Sequence, residues 1–496
     1  MSHLDELRAL VDARLRDETG TLYSEAPERV ALLYPSPYSA AMSSLGFQSI
    51  YREIHRSGRG ADRAFLPDDV AAWRAARVPL FTYEAGRPIS DYSVVAVSVA
   101  YELELAGLVD ALHLAGLPPL AEERTARHPF VLIGGPLTFS NPLPVGPFAD
   151  AVLMGEADET IHAALDVIFA AGGDRAQVLA ALARAVPSAW IPTLHGDRMP
   201  PVAQCDDALL PAYAQITTPN TELRDMFLIE TSRGCSRGCH YCVMRRSTNG
   251  GMRIVPFDDI FARIPDSAKR VGLVGAAVSD HPRIADIVER LADEGRGVGL
   301  SSLRPDRLND RFVAALKRGG YRTLTTAGDG PSERMRESIQ RKTRERHLIK
   351  AAELARAHGM ERMKLYMMCG LPGEDDSDID ELVRFSTELS KITPLALGIG
   401  PFVAKRNTPL DGAPFAGIRV VEARLERLRR GVRGRVDVRA TSARWGWVEY
   451  VLAQGGQAEG RAVIDAVRGG GRFADWKRAF ESLPAERPRR ALAIVG

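Results

Sequence analysis

Short apolar runs alternate with helical stretches along most of this chain. RVALLYP (Arg29 to Pro35), SVVAVSV (Ser93 to Val99), PFVLIGG (Pro129 to Gly135) and ADAVLMG (Ala149 to Gly155) are apolar on both alternating faces and rich in β-branched residues. A strand covered by helices on both sides of its sheet reads this way, because neither face meets water. Between them lie helical patterns such as SSLGFQSIYREIHRSG and ELAGLVDALHLAG. The alternation predicts an α/β, doubly wound domain over 29–185, preceded by an amphipathic helix within 1–28. From 186 to 225 the text turns irregular and rich in proline and polar residues, predicting a long packed connection.

A second alternation follows. Its candidate strands are Met226 to Ser232, Arg270 to Val278, Gly297 to Leu303, Tyr321 to Gly328, Met363 to Gly370 and Leu395 to Val403, with helical text between them. Six βα units over 226–416 predict a (β/α)6 partial barrel, with chemistry at the C-terminal ends of its strands. The remainder, 417–496, reads as a small α-rich region that includes the basic run RLERLRRGVRGR.

Composition changes this picture little. The 496 residues are 45% hydrophobic and 26% charged, as expected of a globular protein of two or three domains. The net charge of +2 gives no global argument for a nucleic-acid or membrane partner. No apolar run is long enough to span a bilayer, and the charged N-terminal text is not that of a signal peptide, so a cytoplasmic location is expected.

Cysteine changes the picture a great deal. Three of the five cysteines, Cys235, Cys239 and Cys242, fall within TSRGCSRGCHYC in a C-x3-C-x2-C spacing, directly after the first strand of the second alternation. Cys205 and Cys369 stand apart, and an odd, clustered set is no disulfide framework. A structural zinc ion closes its shell with four ligands, and His240 could complete such a set. A four-iron cluster takes one protein ligand per iron, so three cysteines leave one iron open for a substrate or cofactor. Arg233, Arg237, Arg245 and Arg246 crowd the same loop, either offsetting charge or simply solvated.

CSRGCHYC, with Tyr241 before the last cysteine, resembles the radical S-adenosylmethionine (SAM) superfamily. The resemblance implies a 4Fe-4S cluster on Cys235, Cys239 and Cys242 and SAM on the open iron. It also implies an electron donor such as flavodoxin or ferredoxin and an unidentified substrate attacked by a 5′-deoxyadenosyl radical. SAM contacts are carried over to Tyr241, Gly275, Ser302, Arg304, Asp329, Arg334, Met367 and Gly370. Gly275-Ala276-Ala277 departs from the family's Gly-Gly-Glu at the second strand end. Ser302 and Arg304 also read as a helix cap and a surface arginine, and the glycine-flanked Asp329 also reads as a plain turn.

The first domain is similar to the cobalamin-binding domains fused to such barrels, in a large family of obscure function. Gly134 and Gly135 occupy positions that would flank a cobalamin tail, Ser98 ends the third strand as a further candidate of that site, and Glu156 and Glu159 lie near a strand end. The family's Asp-x-His-x-x-Gly is missing: PSPYSAAMSSLGFQ holds no histidine. This leaves cobalamin bound without a lower-face histidine, or a degenerate domain that shapes the substrate site. Two further functions stay open. A non-enzymatic metal module could contact RNA or protein through the basic C-terminal run. A methylthiotransferase-like enzyme would need three more cysteines ahead of the barrel, where only Cys205 is present.

Overall fold

The computed structural model describes residues 3–171, 174–244, 251–301, 303–484 and 493–494. The chain forms two compact units, Met1–Asp225 together with Val451–Gly496, and Met226–Tyr450.

The first unit is built on a six-stranded sheet. Its strands are β1 (Arg29–Tyr34), β2 (Gly60–Phe65), β3 (Val94–Ser98), β4 (Phe130–Gly134), β5 (Ala151–Leu153) and β6 (Ala189–Trp190), in the order β2-β1-β3-β4-β5-β6. All neighbours are parallel except β5 and β6. The order reverses between β1 and β3, the place where open α/β sheets leave a crevice at their strand ends.

Two elements differ from the sequence reading. The text GADRAF over β2 looks polar, yet every residue of the strand is buried. Arg63 lies inside the sheet because Glu18 (2.7 Å) and Glu84 pair with its guanidinium. An unpaired buried charge there would be prohibitive. The expected connection from 186 to 225 contributes β6, which closes the sheet edge. The helices Gln457–Arg468 and Phe473–Glu481 belong to this unit, so the C-terminal region divides between the two.

The second unit carries β7 (Phe227–Glu230), β8 (Arg270–Val274), β9 (Gly297–Leu300), β10 (Thr323–Asp329), β11 (Arg362–Cys369), β12 (Leu395–Pro401) and β13 (Asp437–Ala440). They form two all-parallel sheets, β9-β8-β7 and β10-β11-β12-β13. The expected single six-stranded barrel is thus seven strands in two ladders. They meet at one bridge between Leu303 and Thr326, just beyond the end of β9. Amphipathic helices such as Ile284–Asp293, Asp310–Arg318, Glu345–Ala357 and Asp376–Ile392 follow the strands. Each buries one apolar face, carried by residues such as Ile287, Leu316, Leu348 and Leu382.

Candidate metal centre

After β7 the chain enters a short antiparallel ribbon, Ser232–Gly234 paired with Met252–Ile254. The cysteines lie in the loop that this ribbon closes. Gly275, past the end of β8, permits the ribbon's close approach: a Cβ there would lie 2.9 Å from the Ser232 carbonyl oxygen. The Ser232 hydroxyl is buried without a hydrogen-bond partner among the described residues.

Cys239 is buried, and Cys235 and Cys242 are half-buried. Burial pushes the Cys235 and Cys242 thiols up, and each is raised further by the negative charge of a neighbouring cysteine. The backbone N–H groups of Arg237 and Met244 work the other way, favouring the thiolates of Cys235 and Cys242 respectively. The loop is tied down by two main-chain hydrogen bonds, His240 N–H to Ile339 O (3.0 Å) and Leu410 N–H to His240 O (3.2 Å).

A polar chain runs from the loop to the second sheet. The Tyr241 hydroxyl donates to Asp329 Oδ2 at 2.7 Å. Arg341 Nε pairs with the same oxygen at 2.7 Å, and its guanidinium lies near enough to Cys239 for the two to interact electrostatically. Asp329 reaches the loop because an irregularity in the β10–β11 ladder falls at Ala327/Asp329, leaving Asp329 at φ 66°. Burial works against the Arg341 charge, but Asp329, Tyr241 and Cys239 hold it more firmly protonated than usual. Burial and the Asp329 carboxylate push the Tyr241 phenol well above its ordinary value, so it stays a hydrogen-bond donor.

These residues fit an iron–sulfur cluster. Three thiols on one loop, with an arginine beside Cys239, supply soft ligands and offset the charge that such a cluster brings.

Other expected positions fall out differently. Arg304 is drawn into an ion-pair net with Asp280 and Asp306 instead of lying free for a ligand. Arg237 of the loop reaches the same two carboxylates, at 3.7 and 3.4 Å. Arg334 is exposed and bound to Asp378 (2.5 Å) and the Gly373 carbonyl (3.1 Å), so its charge ties two helices together. Met367 is buried under Gly328 and Leu348 on the helix-facing side of β11, whereas its neighbour Met368 packs with Tyr241 in one apolar cluster. Gly370 has φ 89°, and its N–H donates to Glu374 at 2.9 Å. Ser302, Arg245 and Arg246 lie outside the described residues.

In the first unit, Gly135 (φ 105°) is required by the chain itself, since a Cβ would come within 2.6 Å of the Val99 carbonyl. It would also lie 3.1 Å from Ser98 Oγ, whereas a Cβ on Gly134 would have 3.9 Å to the nearest atom. Glu156 accepts from the Cys205 N–H and Glu159 from the Asp206 N–H, both at 2.9 Å. Both carboxylates hold the connecting segment. Arg341 and Asp280 were not singled out from the sequence. Each sits in charged loop text with no periodicity, and only the fold brings them to the cysteines.

Comparison with known proteins agrees with this geometry. The model for the N-terminal region of radical SAM proteins matches residues 46–192, and the radical SAM superfamily model matches residues 229–386. The chain belongs to the radical SAM superfamily. It is therefore a radical SAM enzyme, with a 4Fe-4S cluster and SAM as cofactors. The uncharacterized protein MJ0966 of Methanocaldococcus jannaschii is 26% identical over 396 residues, covering 78% of this chain and 80% of that protein. The uncharacterized methyltransferase PH0819 of Pyrococcus horikoshii is 22% identical, over 52% of this chain and 58% of its own length. Among solved structures, the radical SAM methyltransferase TsrM from Kitasatospora setae shares the fold. Its TM-score is 0.54 at 13% identity, covering 80% of this chain and 76% of TsrM.

Proposed function

We propose that this radical SAM enzyme holds its cluster on Cys235, Cys239 and Cys242 and activates a C–H bond of a substrate bound against the second unit. When bound, the cluster and SAM supply an electron and a reducible carbon–sulfur bond, which yields a 5′-deoxyadenosyl radical. The chain's own part is position and charge. The ribbon fixes the loop, the Arg341 guanidinium offsets charge at the Cys239 sulfur, and Asp329 holds both Arg341 and Tyr241 in place. The Ser232 hydroxyl at the base of the loop is a polar group left for a ligand. A reductant and a substrate complete the reaction. The observation that carries this reading is one loop bearing three thiols, tied to a strand end by the Tyr241–Asp329–Arg341 chain.

The test is anaerobic reconstitution with iron and sulfide, followed by dithionite and SAM. Wild-type protein is expected to bind four irons and form 5′-deoxyadenosine, detected by mass spectrometry, and Cys239→Ala to do neither. Reconstituted wild type that retains no iron and sulfide overturns the proposal.

A second reading adds cobalamin as a methyl carrier. It is favoured by the fold shared with TsrM, which has been solved with cobalamin and a 4Fe-4S cluster bound. The loop after β1 supplies no histidine, so this chain fits only a cobalamin whose lower face has no imidazole from that loop. Cobalt analysis of anaerobically purified protein decides it: stoichiometric cobalt supports methyl transfer, and cobalt-free protein after growth with cobalamin removes it. An RNA-binding role draws little support from the basic helix Ile418–Gly431. Its Arg424, Arg427 and Arg430 pair with Glu374, Asp380 and Glu426 at 3.0, 2.6 and 3.6 Å.

A further inference from the structure

The four-stranded sheet of the second unit carries a cation that the cysteine site does not use. Burial alternates along its central strand β11: Met363, Leu365, Met367 and Cys369 are buried, whereas Lys364 and Met368 are half-buried and Tyr366 is 39% exposed. The buried set faces the helices, since a Cβ on Gly328 would meet both Met367 and Leu348 of the helix Glu345–Ala357. Lys364, Tyr366 and Met368 therefore line the opposite, inner face.

Strand register arranges that face in rows. Thr325, Lys364, Ala396 and Asp437 share one row, and Ala327, Tyr366, Gly398 and Arg439 the next. Gly398 makes room for its neighbours: a Cβ there would lie 2.8 Å from Tyr366 Cδ1 and 3.6 Å from Lys364 Cε. Lys364 Nζ lies 4.6 Å from the Tyr366 ring centre. Among the described residues this ammonium has no carboxylate partner, because Asp437 in its own row is paired with Arg439 at 3.0 Å. Cation–π contact with Tyr366 steadies the ammonium but does not neutralise it. Met368, one row above Tyr366, packs against the same buried cluster as Tyr241 of the cysteine loop. With rows about 6.6 Å apart, Lys364 lies roughly 13 Å below that layer.

A central strand of a parallel sheet is normally apolar on both faces. A lysine without a carboxylate partner, an exposed tyrosine and glycines at 398 and 400 depart from that rule, and a charged group set in a largely apolar lining is how small-molecule sites are built. We infer that this wall is the substrate-binding surface, and that the substrate is a small molecule with an anionic group held by Lys364 and a planar or apolar part lying over Tyr366 and the Gly398–Gly400 strip. The inference names the substrate class for the reaction proposed above, and it rests on that reading for the reaction though not for the binding.

The full-length protein can be titrated by calorimetry or ligand-observed NMR with 3-phenylpropionate and, as a neutral match, 3-phenylpropanamide. Wild type is expected to prefer the acid over the amide by about tenfold, the usual worth of one charge-assisted hydrogen bond. Lys364→Met removes that preference and leaves amide binding as it was, and Lys364→Arg restores it. A thermal melt of each variant confirms folding. Absence of acid binding by wild type, equal binding of acid and amide, or a preference that survives Lys364→Met in a folded protein overturns the inference. The titration needs no turnover. A protein that binds the acid through Lys364 but forms no 5′-deoxyadenosine sinks the radical reading and leaves the wall intact.

Discussion

Each unit begins its sheet with a strand followed by a loop at the C-terminal edge, and the two loops have opposite fates. After β1, the loop is filled by its own side chains. Tyr38 is fully buried, stacks on Tyr83 at 5.4 Å with 5° between the ring planes, and donates its hydroxyl to Glu18 at 2.7 Å. Glu18 is held in turn by the buried Arg63. The chain packs so closely behind this loop that a Cβ on Gly107 would fall 2.1 Å from the Pro35 carbonyl. After β7, the loop carries three thiols, its Tyr241 donates to Asp329, and the Arg341 charge lies close enough to Cys239 to be held by it. The same topological address is thus packed with a buried tyrosine in one unit and furnished with three thiols in the other. Side-chain identity, not strand order, decides which.

The largest test of this contrast removes a thiol. Cys239→Ala is expected to abolish iron retention and reduce 5′-deoxyadenosine formation by more than about a hundredfold, with the thermal melt of the first unit unchanged. Comparable losses from Tyr38→Phe would erase the distinction between the two loops. Next, Arg63→Met leaves Glu18 and Glu84 buried without their partner and should cost about 3–5 kcal/mol, read from chemical denaturation. Burial pushes both carboxylates up. At Glu18 the Arg63 charge outweighs burial and holds it below its ordinary range, while Glu84 stays raised. A neutral outcome would mean that β2 does not depend on this cluster.

Arg341→Met comes third. Loss of the positive charge beside Cys239 and of the Asp329 ion pair should lower activity by about 10–100-fold and shift the cluster's reduction potential downward in an EPR redox titration. Iron content should stay near wild type, because all three thiols remain. An unchanged potential would show that the arginine only braces the loop.

The smallest effect is acid sensitivity. Burial lowers His281 below its ordinary value of 6.5, and it lowers His55 and His113 in the same direction. A histidine depressed in the folded state binds more protons when unfolded, so its stabilising contribution is complete above pH 6.5 and is lost progressively as pH falls below it. His281 contacts the Val255 carbonyl at 2.9 Å and follows Asp280, which holds both Arg304 and Arg237 of the cysteine loop. A thermal midpoint that falls between pH 7.5 and 5.5, and falls less in His281→Leu, is the expected result.

Much of this was legible in the text of the chain. All six candidate strands of the second alternation are present within a few residues of their expected ends, because apolar runs flanked by helical text have few other solutions. The cysteines announced themselves by spacing. What could not be read was β2, whose Asp62 and Arg63 disguise a buried strand until their partners Arg29, Glu18 and Glu84 are seen. The ion pairs of Arg304 and Arg334 were illegible for the same reason: which carboxylate reaches an arginine is a tertiary fact.

The sequence by itself determined the alternating strands and helices, the trio of thiols, and the lack of a histidine in the loop after β1. These are local properties, carried by residue type and spacing. Tertiary structure alone decided that Asp329, Arg341 and Tyr241 converge on Cys239, that the loop after β1 is filled, and that Lys364 stands without a carboxylate partner. Ion pairs and close packing join residues far apart in the chain, and such pairings leave no period for a sequence reader to find.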